Sequence, residues 1–210
     1  MTAQDAIFQS DEGDAWFARN RAVLGRPKAV RNDPVLQLLR RNKVRPETVL
    51  EVGCANGWRL EALRQEADAE CTGVDVSELA IDDGRERYPA LDLRVGSAAR
   101  LPVSGRFVLV VVYFVLHWVD RRTLLQSLAE IDRRVADGGY LVIGDFAPPA
   151  PTAVPYHHRE GLRTYQAHYP HALYALGLYD AVDDLLFDHP GGGGQYPSLA
   201  GCALLKRKVQ

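Results

Sequence analysis

Short apolar segments alternate with helical patterns through the middle of this chain, and this alternation constrains the fold more than any other feature. Strands are predicted at 48–52, 71–76, 91–95, 107–114 and 140–143. The segment 107–114 is apolar without alternation, which indicates a strand buried on both faces. Helical patterns separate these strands. The order is typical of a parallel, doubly wound α/β sheet, because parallel neighbours need a crossover helix between them.

The chain before this core is predicted to be helical. Helices are expected at about 14–24 and from Pro34 onward, where Asp33 is the N-cap and proline suits the first helical position. We expect residues 1–45 to form a helical lid and residues 46–210 to form the main domain.

The helix before the fifth strand carries apolar residues at helical spacing. We expect Asp120 to cap this helix and Gly138-Gly139 to end it.

The chain after the fifth strand departs from the alternation. Residues 147–155 are rich in proline and are predicted as a loop, and 171–176 as a short helix. Segments 179–188 and 199–206 are predicted as an antiparallel pair at the sheet edge, joined through a glycine run that we expect to be a mobile loop, although 179–188 could instead end in a helix. The predicted architecture is therefore a Rossmann-like α/β fold with a mostly parallel sheet and a C-terminal antiparallel strand pair.

Composition narrows the class of protein. The chain has 210 residues with 25 basic and 27 acidic side chains, and this balance disfavours a nucleic-acid partner. Three cysteines without a close pair predict neither a disulfide framework nor a metal knuckle. No signal peptide is recognisable, and the longest apolar run is too short to cross a bilayer. We expect a cytoplasmic protein with no membrane partner; its oligomeric state is left open.

Residues 49–57 read Val-Leu-Glu-Val-Gly-Cys-Ala-Asn-Gly. This pattern predicts a strand, then a glycine-containing turn, then the start of a helix. Gly53 permits a tight turn, and the helix that starts near Gly57 offers free N–H groups to an anion. Asp75 follows 22 residues after Gly53, at the end of the next strand, where an acid accepts hydrogen bonds from ribose hydroxyls. The two signals indicate a nucleoside-containing ligand, although Asp75 could instead be a simple helix cap.

Other nucleotide-binding patterns fit this loop less well. A dinucleotide-binding loop has glycines at three fixed positions, and the second and third of these are Ala55 and Trp58. No Gly-Lys-Ser/Thr sequence is present, which excludes a P-loop.

Five segments match the motifs of one known family in order and spacing. They are 49–57, Gly-Val-Asp-Val-Ser at 73–77, Gly-Ser-Ala-Ala-Arg-Leu-Pro at 96–102, Val-Leu-His-Trp-Val at 115–119 and Gly-Gly-Tyr-Leu at 138–141. Across roughly residues 45–146 the chain resembles the class I S-adenosylmethionine-dependent methyltransferases. The short segment 13–20 is also similar to methylases associated with pseudaminic acid and related surface-sugar pathways.

This resemblance implies a set of residues that bind the methyl donor, S-adenosylmethionine. Glu51 would help to position the donor's amino group, although it could be merely a polar strand residue, and Gly53 and Gly57 would line the methionine moiety. Asp75 would hold the ribose, and Val76 would pack on the adenine. The remaining members of the implied set are Cys54, Asn56, Ser97 and Ala98. The chain departs from the family pattern at two of these motif positions, with Ala55 in place of a common glycine and Ser97 in place of a common aspartate.

The residue that would remove a proton from the methyl acceptor is harder to assign. His157 and His158 follow the fifth strand, where ligands bind in open α/β folds, and histidine is the natural base near neutral pH. We expect one of them to be the catalytic base, with Asp145 or His117 as the next candidates. Plain surface exposure is almost as good an interpretation for the histidine pair. No metal site is predicted, because the usual zinc spacings are absent.

The expected reaction is attack of an acceptor oxygen or nitrogen on the donor's methyl group. A small-molecule acceptor is favoured because the chain is barely larger than the core fold, and a sugar or sugar-nucleotide is suggested by segment 13–20. Two alternatives stay open: a non-catalytic donor-binding or scaffold protein, and, with less support, an NAD-dependent oxidoreductase.

Overall fold

The computed structural model describes residues 3–189 and 199–209. Its helices are α1 (Ala3–Ile7), α2 (Gly13–Asn20), α3 (Pro27–Asn32), α4 (Pro34–Arg41), α5 (Trp58–Ala67), α6 (Glu78–Arg87), α7 (Leu124–Arg134) and α8 (Pro170–Ala175), with a π-helical turn at Phe8–Glu12 between α1 and α2. Its strands are β1 (Thr48–Val52), β2 (Glu70–Asp75), β3 (Asp92–Val95), β4 (Phe107–Tyr113), β5 (Val135–Phe146), β6 (Thr152–Pro155), β7 (Arg163–Gln166), β8 (Tyr179–Asp188) and β9 (Leu199–Arg207).

A seven-stranded sheet in the order β3-β2-β1-β4-β5-β9-β8 organises the molecule. Strands β1 to β5 are parallel, and β9 runs antiparallel to both of its neighbours. The predicted α/β fold with a C-terminal antiparallel pair is confirmed, and 179–188 is a strand along its whole length. The strand order reverses between β1 and β4, and the crevice outside the carboxyl ends of such strands is where open α/β sheets bind ligands.

The two faces of the sheet carry separate apolar layers. Leu109 and Val111 of β4 pack into the layer under α4, α5 and α6, while Val110 and Val112 pack into the layer on the α7 side. This division explains the unbroken apolar run of the fourth strand, because both of its faces are covered.

Three local predictions need correction. Helix α7 ends at Arg134, and Gly138-Gly139 lie within β5 rather than at a helix end. A Cβ atom at Gly139 would stand 2.9 Å from the carbonyl oxygen of Val108, so this glycine permits close backbone contact between strands. Asp120 does not cap α7, which begins only at Leu124. Its Oδ1 atom accepts a hydrogen bond from the Arg122 N–H at 2.9 Å and caps a turn before the helix.

The third correction concerns residues 147–155, predicted as a loop. Their second half forms β6, which pairs with β7 in a separate two-stranded sheet. The N-cap at Asp33 is confirmed, since its Oδ1 accepts from the Leu36 N–H at 3.0 Å. The first predicted helix is shorter than expected and ends at Asn20. The glycine run 191–194, predicted as a mobile loop, lies outside the described residues.

None of the described helices combines the length and the apolar character needed to span a bilayer.

Candidate functional site

A cavity of about 640 Å³ opens at the carboxyl ends of the parallel strands. The loop after β1 and the end of β2 form one side, and the residues after β4 form the other. The N-terminal helical segment, with Phe8, Gly13 and Trp16, also lines the cavity. Of the sequence-predicted residues, the cavity wall includes Gly53, Cys54, Asp75, Val76, Ser97, Ala98, His117, His157 and His158.

Asp75 ties the β1 loop to the β2 end. Its Oδ2 accepts from the Ala55 N–H at 2.8 Å, and its Oδ1 accepts from the Ser77 N–H at 2.9 Å. Burial raises the pKa of Asp75 above its usual range, although these backbone hydrogen bonds pull in the opposite direction. The carboxylate is thus held in place by the backbone at the cavity wall, with both of its oxygens oriented.

The turn after β1 adopts left-handed backbone conformations at Gly53 (φ 76°), Ala55 (φ 49°) and Gly57 (φ 77°). Such a φ strains residues that carry a Cβ, which is consistent with the glycine that the resemblance implies at position 55. Ala55 adopts this strained conformation, and its N–H donates a hydrogen bond to Asp75.

Replacing Gly53 with alanine is expected to close the site and destabilise the fold. The new Cβ would stand 2.1 Å from the Cγ2 atom of Val115, at a φ that disfavours side chains. We expect a loss of about 2–3 kcal/mol in the free energy of unfolding, measured by urea denaturation, together with weaker binding of S-adenosylhomocysteine.

Gly105→Ala is the matched control, because Gly105 has a similar φ of 80° but a Cβ there would meet nothing within 4 Å. Equal destabilisation of the two variants would show that backbone strain, and not the clash with Val115, is responsible.

A buried ionic cluster lies behind the turn. The Arg59 guanidinium donates to both oxygens of Asp33 (2.9–3.1 Å) and also pairs with Glu51. It lies 4.6 Å from the centroid of the Tyr113 ring and 4.8 Å from that of Trp58. Arg59 itself lines the cavity, so the cluster places one cation at the wall with two acids beneath it.

Glu51 is fully buried, and only one of its two carboxylate oxygens has a hydrogen-bond partner among the described residues. Its Oε2 atom has no hydrogen-bond partner among the described residues. Burial raises the pKa of Glu51 to about 7, because the cost of desolvating the carboxylate exceeds the attraction of Arg59. Burial alone would lower the pKa of Arg59, but Asp33 and Glu51 raise it, and the guanidinium stays charged.

Three residues of the set predicted to bind the donor have structural roles. Asn56 and Gly57 do not line the cavity, whereas Cys54 does. Asn56 is buried outside the cavity lining and donates to Asp83 at 2.8 Å. Gly57 is the N-cap residue of α5, and a Cβ there would approach Leu91 at 2.9 Å. Cys54 does line the cavity, and burial raises the pKa of its thiol, which keeps the thiol protonated.

The far side of the cavity is built around His117. Its Nδ1 atom lies 2.9 Å from Oδ1 of Asp145, and its backbone N–H donates to Oδ2 of the same carboxylate at 3.2 Å. The side chains of both residues are only 2% exposed. Asp145 also accepts from the Phe146 N–H at 2.8 Å, so the carboxylate beside the imidazole is itself fixed, although the contact with Nδ1 does not meet hydrogen-bond geometry.

Aromatic rings surround this imidazole. Trp118 lies 4.2 Å from it between ring centroids, Phe146 5.1 Å and Phe114 5.8 Å. Phe114 has a φ of 56°, which is unusual for a bulky residue and is the kind of strain found at functional sites. The Trp118 ring in turn stacks on Phe8 of the N-terminal segment at 5.3 Å.

His157 and His158 lie at the rim of the same cavity. Both side chains are exposed, and their ring centroids are 3.8 Å apart. Burial, Arg19 and His157 together lower the pKa of His158. The structure therefore brings both sets of predicted bases to one cavity, with His117 buried and oriented and the histidine pair exposed.

The N-terminal segment is bound to both sides of the cavity. Asp14 accepts from the Ser77 hydroxyl at 2.6 Å, near the donor-side wall. Gln4 donates to the carbonyl oxygen of Trp118 at 2.7 Å, on the opposite side. Tyr156 donates to Glu12 at 2.8 Å.

Sequence reasoning missed the Asp33–Arg59–Glu51 cluster and the aromatic surroundings of His117. No local signal separated Arg59 from the other charged residues of α5, of which Glu66 is exposed. No spacing rule joins Phe8 to Trp118, because they are 110 residues apart in the sequence.

No group of three or more metal-ligating side chains occurs in the described part of the chain.

A switch-point crevice, a glycine turn and an acid at the end of the next strand define an α/β protein that binds a nucleoside-containing ligand. Comparison with known proteins specifies the class. A family model described as a methyltransferase domain matches residues 49–139. A probable S-adenosylmethionine-dependent methyltransferase of Mycolicibacterium smegmatis is 26% identical over all of this chain and 77% of its own length. These matches, together with the fold, support a class I S-adenosylmethionine-dependent methyltransferase.

Two further matches describe the range of this class. The dTDP-4-amino-2,3,4,6-tetradeoxy-D-glucose N,N-dimethyltransferase of Saccharopolyspora spinosa is 26% identical over 66% of this chain and 55% of its own length. The solved 1,6-didemethyltoxoflavin-N1-methyltransferase of Burkholderia thailandensis has a TM-score of 0.76 at 18% identity, over 99% of this chain and 92% of that one. That structure contains S-adenosylhomocysteine and 1,6-didemethyltoxoflavin.

Proposed function

We propose that this methyltransferase transfers the donor's methyl group to an oxygen or nitrogen of a small molecule bound in the cavity described above. The observation that carries the proposal is the single cavity of about 640 Å³ that includes both Asp75 and His117. One enclosed space of this size accommodates a nucleoside donor at one end and a small acceptor at the other. Holding both reactants in line is the main contribution of a protein to such a transfer, because the donor is already activated.

The donor end supports a specific arrangement. Asp75 would hold the ribose hydroxyls, because its two oxygens are fixed at the wall by Ala55 and Ser77. Gly53 would line the methionine moiety, and its lack of a Cβ leaves room for the Val115 side chain at the cavity wall. Glu51 is fully buried and does not line the cavity, so its role near the donor's amino group stays a prediction of the resemblance.

The adenine end of the donor site is supported by the cavity lining. Val76, Ser97 and Ala98 line it and would surround the adenine. A hydroxyl at Ser97 accepts or donates one hydrogen bond, which is a weaker contact than a carboxylate makes.

We also propose that residues 1–45 act as a lid on this site. The supporting contacts are those of Asp14 with Ser77 and of Gln4 with the Trp118 carbonyl, which join the N-terminal segment to the two opposite sides of the cavity.

Support for a small acceptor comes from the size of the cavity and from relatives. One relative is named for an amino-sugar nucleotide, and one solved structure contains 1,6-didemethyltoxoflavin. A sugar or sugar-nucleotide therefore remains one acceptor class, as the segment 13–20 suggests.

Two measurements test the proposal. Calorimetric titration with S-adenosylhomocysteine is expected to show saturable binding, and a parallel titration with NADH is expected to show none. Incubation with methyl-labelled S-adenosylmethionine and a fractionated cell extract is expected to place the label in the small-molecule fraction. Label confined to the RNA or protein fraction would overturn the small-molecule assignment, and binding of NADH alone would overturn the donor assignment.

A further inference from the structure

The acceptor end of the cavity has a composition that narrows the acceptor class. Six aromatic side chains meet there and contribute to its lining: Phe8, Trp16, Phe114, Trp118, Phe146 and Tyr156. Ring faces bind flat π-systems by offset stacking and edge contacts. The same wall also carries polar side chains, among them Gln9, His158 and Thr164, so it is the number of ring faces, and not a lack of hydrogen-bonding partners, that favours a flat acceptor.

One buried polar atom in this aromatic group is unsatisfied. The indole N–H of Trp118 is buried and has no hydrogen-bond partner among the described residues. An unpaired buried donor costs about 1–3 kcal/mol, so it is expected to be satisfied when the site is filled. A carbonyl oxygen or a ring nitrogen of the acceptor is the complementary group.

The imidazole of His117 lies directly beside this indole. Asp145 lies 2.9 Å from Nδ1, a contact that does not meet hydrogen-bond geometry among the described residues, and we assign the proton transfer to the other ring nitrogen, Nε2. The titratable groups that face His117 among the described residues are Asp145 and His189, and the pKa of His189 is lowered by burial and by His117. His157 and His158 are exposed at the rim of the cavity, whereas His117 is buried in its wall.

We propose that the acceptor is a planar aromatic or heteroaromatic molecule with an ionisable ring O–H or N–H, that Trp118 donates a hydrogen bond to it, and that His117 is the base that removes its proton. This rests on the methyltransferase function proposed above. Nε2 of His117 takes the proton, and the acceptor atom forms a bond to the methyl carbon as the carbon–sulfur bond breaks. The sulfur keeps that electron pair, and the proton leaves His117 for solvent. Asp145 is a positioning residue that holds the imidazole.

Direct binding tests the acceptor class. The probes are 7-hydroxycoumarin and 1,6-didemethyltoxoflavin, compared with dTDP-glucose, each titrated into protein saturated with S-adenosylhomocysteine. We expect both planar probes to bind and the sugar nucleotide not to bind. Trp118→Phe keeps a ring but removes the N–H, and it is expected to weaken the planar probes about tenfold with S-adenosylhomocysteine binding unchanged. Binding of the sugar nucleotide alone, or of neither planar probe, overturns the acceptor class.

The proton-transfer role has a spectroscopic readout that does not need turnover. 7-Hydroxycoumarin absorbs differently as phenol and phenolate, and at pH 7 the wild type is expected to raise the phenolate fraction of the bound probe. His117→Gln is expected to abolish this shift and to lower kcat for any methylated probe by about 10²–10⁴-fold. Asp145→Asn should lower kcat with little change in KM and should recover part of the loss at higher pH.

The matched control for His117→Gln is His171→Gln, because His171 is exposed on α8 and does not line the cavity. A full phenolate shift retained in His117→Gln, or a larger loss in His157→Gln, overturns the assignment of the base. Titration with S-adenosylhomocysteine distinguishes a failure of the proposed function from a failure of this inference. Failure of the wild type to bind S-adenosylhomocysteine would refute the proposed function. Normal binding of S-adenosylhomocysteine, together with binding of the sugar nucleotide and not of the planar probes, would refute this inference alone.

Discussion

Replacing Arg59 with methionine is expected to lower the free energy of unfolding by about 3–5 kcal/mol at pH 8, the cost of breaking a buried ion pair by removing one partner. Arg59 is the cation that neutralises Asp33 and Glu51, all three of them buried. Methionine fills much of the same volume, so the loss reports mainly the two uncompensated carboxylates. Urea denaturation followed by circular dichroism measures it.

The size of this loss should depend on pH. In the folded wild type the pKa of Glu51 is about 7, above its ordinary value of 4.5, so the folded state binds this proton more tightly than the unfolded chain does. The contribution of Glu51 to stability is therefore fully present below about pH 4.5 and is lost as the pH rises through about 7. Without Arg59 the carboxylate favours its proton still more, and we expect Arg59→Met to be less destabilised at pH 5.5 than at pH 8.

Glu51→Gln is the matched second variant. Glutamine keeps the shape of Glu51 without its charge, so Glu51→Gln added to Arg59→Met is expected to recover part of the lost stability at pH 8 and to flatten the pH dependence. A double variant no more stable than Arg59→Met at either pH would show that the buried charge of Glu51 is not the cause.

Replacing Asp75 with alanine is expected to weaken S-adenosylhomocysteine binding on the order of 100-fold. Hydrogen bonds to a charged group contribute about 1.5–3 kcal/mol each, and the variant loses those that we propose to the ribose. It also releases the Ala55 and Ser77 N–H groups, which the carboxylate now holds. Isothermal titration calorimetry measures the change, and a parallel thermal melt reports whether the fold survives.

The alternative interpretation, in which Asp75 only anchors the loop and caps α6, makes a different prediction. A ribose role requires that the wild type discriminate strongly between S-adenosylhomocysteine and its 2′,3′-dideoxy analogue, and that Asp75→Ala discriminate little. Equal discrimination in both proteins would assign Asp75 to the loop alone. Asp75→Asn, which keeps one oxygen, is expected to fall between the two.

The order of strands and helices was readable from the sequence because local patterns determine it. A wholly apolar β4 and a proline after an N-capping Asp33 are signals that lie within a few residues of the elements they specify. The spacing of Gly53 and Asp75 was also sufficient to predict that both would reach the same strand ends, since carboxyl ends of parallel strands share one edge. The β5 start and the β6–β7 pair were not predicted, because pairing partners, and not local propensity, decide them.

The sequence by itself determined the fold class, the similarity to S-adenosylmethionine-dependent methyltransferases and the edge of the sheet at which Gly53 and Asp75 lie. Only the tertiary structure decided which histidine is oriented, because Asp145 reaches His117 from the neighbouring strand and leaves His157 and His158 at the surface. It also decided that Arg59 closes a buried charge cluster with Asp33 and that Phe8 meets Trp118 across the cavity. The physical reason is the same in each case: burial and contact between residues distant in sequence are set by packing, which no local pattern encodes.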